Sequence, residues 1–316
     1  MIRTLLPLSA LLTLATPALA TDPAPSPGLA PSEIVAAAPK AEWVAIPATD
    51  LLVMDLAPGP NAKPRRVVIQ LMPPPFAQGW IGNIRKLAAA HWWDGLSINR
   101  VQDNYVVQWG DADGEDKAKA RKLPTGLAVV PEVAYQTNVS GGDPLKYLKI
   151  ATDPYAQFSI FWQGWPVGVD YSTVHSLDFS AWPVHCYGMV GVGRNLPPDA
   201  GNGTELYVVI GQAPRHLDRN IALVGRVIEG IEHLSSLPRG TGALGFYETA
   251  AERTQINSVR LGSAVPALPV YEYLSTESAT FAKYAYARAN RRDPFFITPA
   301  GGADICNIPV PVRRAK

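Results

Sequence analysis

Arg100 and Gln108 are the side chains through which this sequence could do chemistry. The stretch His91 to Val101 is followed closely by Tyr105 to Asp111, and Asp94-Gly95 within the first is a turn signal. Beyond that turn come two short β-rich runs, each holding one long polar residue in apolar surroundings: Arg100 in the first and Gln108 in the second. A guanidinium and an amide would then share an apolar surface. Such a pair offers a donor that stays charged at any physiological pH, and it offers no nucleophile. Taken singly, an arginine at a strand end is ordinarily a solvated charge and a glutamine in a strand an edge hydrogen bonder.

Upstream, Leu51 to Leu56 and Arg66 to Leu71 read as a hairpin, and Trp80, Ile81, Ile84, Leu87 and Ala88 make a helical stripe. Downstream, Gly203 to Gly211 and Ala222 to Gly230 are β-rich blocks separated by His216-Leu217-Asp218, and Thr254 to Leu261 reads as a last strand.

Together these blocks resemble the cyclophilin-type peptidyl-prolyl isomerases, whose signature runs Tyr-Asp-Gly, Phe-His-Arg-Val and Phe-Met-Gln-Gly-Gly-Asp, with Gly-Ser-Gln-Phe-Phe, a Trp/His-Leu-Asp loop and Val-Phe-Gly-Lys-Val-Glu-Gly further on. The resemblance covers roughly residues 48 to 262, with a gap in the middle. It implies a mainly β fold, a closed antiparallel barrel of seven or eight strands capped by helices around Gly79 to Ala90 and Glu229 to Ser236. It also implies isomerisation of X-Pro bonds in proline-containing polypeptides, with no cofactor. Rotation about such a bond faces a barrier of about 18 to 20 kcal/mol, because the amide nitrogen shares its lone pair with the carbonyl. On this match Arg100 is the catalytic residue, donating to the prolyl nitrogen once the bond is twisted. Gln108 would bind substrate backbone, and Tyr105, Leu206, Tyr207, His216 and Leu217 fall on substrate-binding positions.

The match has departures. Asn99 stands where the family usually has His, Glu205-Leu206 replaces Gln-Phe, Gly193-Arg194 replaces Ala-Asn, His216 takes the place of a frequent Trp, and Ile221 falls near a frequent His. Similar departures occur in larger, atypical cyclophilin-like proteins. The competing reading is a cyclophilin-like binding module, a periplasmic chaperone or assembly factor with weak or no isomerase activity.

Leu5 to Leu14 behind Arg3, followed by Ala18-Leu19-Ala20, reads as a secretory signal peptide cleaved after Ala20, and its apolar run is too short to span a bilayer. Residues 21–42 are rich in Pro and Ala and read as a flexible leader. Of the 28 basic and 27 acidic residues only Arg3 precedes the cleavage site, so the mature chain is neutral and has no electrostatic footprint for nucleic acid. No second run is long enough for membrane insertion. A periplasmic or secreted protein is expected. There, the two cysteines, Cys186 and Cys306, form either one disulfide or two buried thiols.

The domain expected at 43–262 carries an insertion at about 112–184, opening with a charged piece, Asp113 to Lys122, that reads as a solvated loop. Trp162, Trp165, Tyr171 and Trp182 then mark an ordered segment packed on the barrel or forming part of the groove. The extension 263–316 is expected to hold a helix at about Ser275 to Asn290. Gly240-Thr-Gly242-Ala-Leu-Gly245 fits a dinucleotide-binding pattern in letters only, since it neither follows a strand nor opens a helix. The five histidines, His91, His175, His185, His216 and His233, lack ligand spacing, so no metal is expected.

Overall fold

The computed structural model describes residues 28–59, 62–140, 148–150, 153–172 and 178–315. The signal peptide and His175 lie outside the described residues.

The chain opens with helix α1 (Pro31–Ala36) and strand β1 (Trp43–Ile46). The hairpin β2 (Leu51–Leu56) and β3 (Arg65–Leu71) leads to helix α2 (Gln78–Ala89), and then to β4 (Ser97–Val101) and β5 (Val106–Gly110). The insertion supplies β6 (Thr137–Val139), β7 (Leu148–Ile150), β8 (Phe158–Trp162), β9 (Trp165–Tyr171) and β10 (Phe179–Pro183). Next come β11 (Met189–Val192), β12 (Leu206–Val209), β13 (Leu223–Glu229), the single turn α3 (Glu232–Ser235) and β14 (Thr254–Leu261). The extension adds β15 (Tyr271–Leu274), helix α4 (Ala279–Ala289) and β16 (Val312–Arg314).

Eight strands close into an antiparallel barrel in the order β11-β12-β5-β4-β14-β2-β3-β13. Strand alternation sends Leu52, Met54, Val67, Ile69, Ile98, Val107, Trp109, Val208 and Ile256 into one buried core. Helix α2 caps it with the stripe Trp80, Ile81, Ile84, Leu87 and Ala88, all buried. The second cap is shorter than sequence patterning suggests. Glu229 stays in the ladder opposite Val68, and Gly230 turns the chain at φ +85°, where a Cβ would lie 2.0 Å from the Arg66 carbonyl oxygen.

The insertion forms a five-stranded antiparallel sheet, β6-β10-β9-β8-β7, outside the barrel. Strand β1, at the start of the expected 43–262 domain, stays out of the barrel and pairs with β15, which pairs with β16. The expected leader holds helix α1 and is not flexible throughout. Pro31 occupies a first-turn position where its missing N–H costs nothing, and α1 packs on α4. Phe161 of the insertion meets Phe281 of α4 edge-on at 4.9 Å, and Arg226 of β13 donates to the Gly164 carbonyl at 2.7 Å while stacking 4.5 Å from the Trp165 ring. Chain start, insertion and extension thus pack together against one side of the barrel.

Candidate active site

The β4-β5-β12-β11 face of the barrel carries a row of residues in direct register. Arg100 faces Gln108, Gln108 faces Tyr207, and Tyr207 faces Gly191. Alternation explains which side each takes. Val107, Trp109, Leu206 and Val208 enter the core, while Val106, Tyr207 and Val209 form a separate outer apolar cluster with Tyr105 and Ile221. The row lines a groove of about 770 Å³ whose walls include Tyr105, Leu217, Phe246 and Tyr247.

Arg100 is half-buried and held on all its nitrogens. Its Nε donates to the Leu244 carbonyl at 2.8 Å, Nη1 to Gln108 Oε1 at 3.3 Å, and Nη2 to Gln102 Oε1. Its guanidinium carbon lies 5.2 Å from the Phe246 ring centre and 5.7 Å from that of Tyr105. Burial lowers its pKa, but an arginine has so much basicity in reserve that it stays charged. Beside it, Asn99 is buried, donating to the Gly110 carbonyl at 3.1 Å and accepting from Ser97 at 2.7 Å.

Gln108 Nε2 in turn donates to Glu205 Oε2 at 3.4 Å. Burial pushes the Glu205 carboxyl up to about 7, with Asp111 and Glu115 adding to the rise and the Gln108 hydrogen bond opposing it. Two glycines make room for this side chain: a Cβ on Gly110 would sit 1.9 Å from its carboxylate, and one on Gly193 would sit 2.8 Å from its own Cβ.

The structure brings Arg100, Tyr105, Gln108, Tyr207 and Leu217 together around this groove. Two substrate-binding assignments do not hold. Leu206 is 1 % exposed in the barrel core, because it is the odd neighbour of Tyr207 on the same strand and must face the other way. His216 projects into solvent from the short helical turn Arg215–Leu217 and is not a groove residue. The charged piece Asp113 to Lys122 is exposed along most of its length, as a solvated loop should be, and is anchored near its end. Arg121 Nη1 donates to the Trp92 and Asp94 carbonyls at 2.8 and 2.7 Å, which seats this loop as a groove wall.

Phe246, Tyr247 and the carbonyl of Leu244 come from the glycine-rich loop whose letters suggest a nucleotide motif. Here Leu244 (φ 55°) and Gly245 (φ +79°) bend the loop back on β4, where Phe246 bridges to Arg100. Cys186, just before β11, is joined to Cys306 of the extension, with Cα atoms 5.0 Å apart. Among the described residues no cluster of three or more His, Cys, Asp or Glu side chains could hold a metal ion, and no helix is long and apolar enough to cross a membrane.

A closed eight-stranded barrel bearing an arginine, a glutamine and an apolar pocket on its outer face defines the class. The family model for cyclophilin type peptidyl-prolyl cis-trans isomerases matches residues 79–261. The chain belongs to that family, whose activity is peptidyl-prolyl cis-trans isomerisation. Among solved structures it is similar to the cyclophilin AquaCyp293 from Hirschia baltica, at 19% identity and a TM-score of 0.64 over 87% of this chain and 94% of that one. A cyclophilin type isomerase of Cryptosporidium parvum, determined in the presence of the dipeptide Ala-Pro, aligns at 11% identity and a TM-score of 0.37 over 67% of this chain and 98% of that one. No curated protein sequence matches the chain.

Proposed function

We propose that Arg100 drives isomerisation of X-Pro bonds by stabilising the twisted amide, and that the substrates are exported proteins met in the periplasm or outside the cell. The observation that carries this is the registered row Arg100, Gln108, Tyr207 beside an apolar pocket. In the planar amide the prolyl nitrogen has no free lone pair; on twisting, the lone pair localises and can accept a hydrogen bond. A guanidinium pinned by Leu244, Gln108 and Gln102 needs little reorganisation to donate at that moment, so it favours the twisted state over either planar one. Tyr207, Tyr105 and Leu217 receive the proline ring, and Gln108 bonds the polypeptide backbone. Export is supported by the apolar run Leu5 to Leu14 with Ala18-Leu19-Ala20, and by the pairing of the two cysteines.

The test is an isomerase assay on Ala-Pro and Gly-Pro peptides with Arg100→Lys and Arg100→Ala. Lysine keeps the charge but loses the planar fork. One charge-assisted hydrogen bond made only in the twisted state corresponds to roughly 1.5 to 3 kcal/mol, or on the order of ten- to a hundredfold in rate, with the larger loss for alanine. Peptide binding is expected to weaken far less. An Arg100→Ala protein that accelerates the reaction as well as wild type would refute the role, and a fraction assay locating the chain in the cytoplasm would refute export.

A further inference from the structure

Tyr207 lies across a bare patch of backbone. Its cross-strand partner is Gly191, where a Cβ would fall 2.3 Å from the ring carbon Cζ and from the hydroxyl oxygen. The phenol is 4 % exposed, so its hydroxyl must find a partner inside the protein. That partner is His185, fully buried, whose Nε2 stands 2.8 Å from the hydroxyl. His185 Nδ1 is 2.8 Å from Asp218 Oδ1, the oxygen that also accepts the His185 backbone N–H at 2.9 Å. The other Asp218 oxygen accepts from Arg215 Nε at 2.7 Å, and Arg215 Nη2 donates to Asp153 of the insertion at 2.8 Å.

The chain has one polarity. An ionised Asp218 only accepts, so Nδ1 carries the imidazole proton, Nε2 is left as an acceptor, and Tyr207 donates. Burial pulls the His185 pKa down against the pull of Asp218, which favours the neutral ring this pattern needs. A phenylalanine at 207 would serve as well for apolar contact with a proline ring. The hydroxyl adds only the tie to His185.

We propose that His185 is a positioning residue for the isomerase, fixing the Tyr207 ring at the floor of the proline pocket through the chain His185, Asp218, Arg215 and, from the insertion, Asp153. The proposal rests on the reading that Tyr207 receives the proline ring. It makes the part of the insertion around Asp153 a support for the pocket, beside the Asp113 to Lys122 loop that walls the groove directly.

A double-mutant cycle on isomerase kcat/KM tests it, using Tyr207→Phe, His185→Ala and the pair, with His185→Gln as the conservative variant. Each single change is expected to lower kcat/KM about three- to tenfold, the equivalent of one neutral hydrogen bond, and the double variant to fall no further than the worse single one. His185→Gln, which can still accept from the phenol, should recover part of the loss. The proposal is overturned if Tyr207→Phe leaves the rate unchanged, or if the His185 changes cost the same factor with Phe at 207 as with Tyr. Ring-flip rates of Tyr207 measured by NMR keep the two readings apart. Faster flipping in His185→Ala without any rate change would leave the clamp in place but refute the pocket reading, and unchanged flipping in every His185 variant would refute the clamp itself.

Discussion

Glu205 is the residue whose charge the fold resists. Its carboxyl, at about 7, titrates well above the 4.5 of a free glutamate, so between those two values the folded protein binds more protons than the unfolded chain. Stability therefore falls as pH rises through that window, and the loss is complete above about 7. Glu205→Gln removes the titration and keeps a hydrogen-bonding head for Gln108; its thermal midpoint is expected to exceed that of wild type at pH 8 and to match it near pH 4.5. At one pKa unit per 1.36 kcal/mol, the difference at pH 8 is on the order of 3 kcal/mol at most. Equal midpoints at pH 8 would show that the carboxyl is solvated after all. At this scale the sequence was most readable where alternation is unambiguous. Arg100 and Gln108 stand out as polar interruptions of apolar strands, whereas Tyr105, Tyr207 and Leu217 were legible only through the resemblance to the family's motifs. Leu206 was misread because two consecutive strand residues cannot face one pocket, and His216 because a three-residue helical turn directs its side chain by geometry that no periodicity announces.

Among the elements, the Gly240 to Phe246 loop has the most to do with the site and was the least legible. Its contact with β4 joins residues some 144 positions apart, a pairing no local pattern encodes. Gly245 takes φ +79°, and a Cβ there would lie 2.7 Å from Gln102 Cα and 2.8 Å from the Val101 carbonyl. Gly245→Ala should therefore lift the loop off β4 and free Arg100 from the Leu244 carbonyl. The strain is roughly 1 to 3 kcal/mol and local, so kcat/KM should drop about tenfold while the cooperative unfolding midpoint moves little. A fall in midpoint with kcat/KM intact would assign the loop a structural duty instead. The barrel strands and α2, by contrast, were readable from two- and 3.6-residue periods. The expected helix at Ser275 to Asn290 begins later, at Ala279, because Ser278 caps it by accepting the Phe281 N–H at 3.0 Å. The aromatics of the insertion signalled order, though not a five-stranded sheet, since which strands pair depends on partners far along the chain. Composition hid α1 and β1, whose stability comes from the distant α4 and β15.

For the whole molecule, the Cys186–Cys306 bridge spans 120 positions and ties the entry of β11 to the extension. The chain-entropy model gives a loop of that size about 5 kcal/mol of stabilisation. Reduction, or Cys186→Ser with Cys306→Ser, should lower the denaturant midpoint by a corresponding amount, and thiol titration of the unreduced, denatured protein should find no free thiol. Two reactive thiols per chain would rule the bridge out. The sheet β1-β15-β16 has a further consequence, one of timing. Strand β1 is made early, yet its partner among the described residues, β15, is made far later, as is α4, on which α1 packs, so these early segments must wait for most of the chain between. A sheet that stitches together segments so far apart cannot form before the later one is made, and such long-range closure is slow.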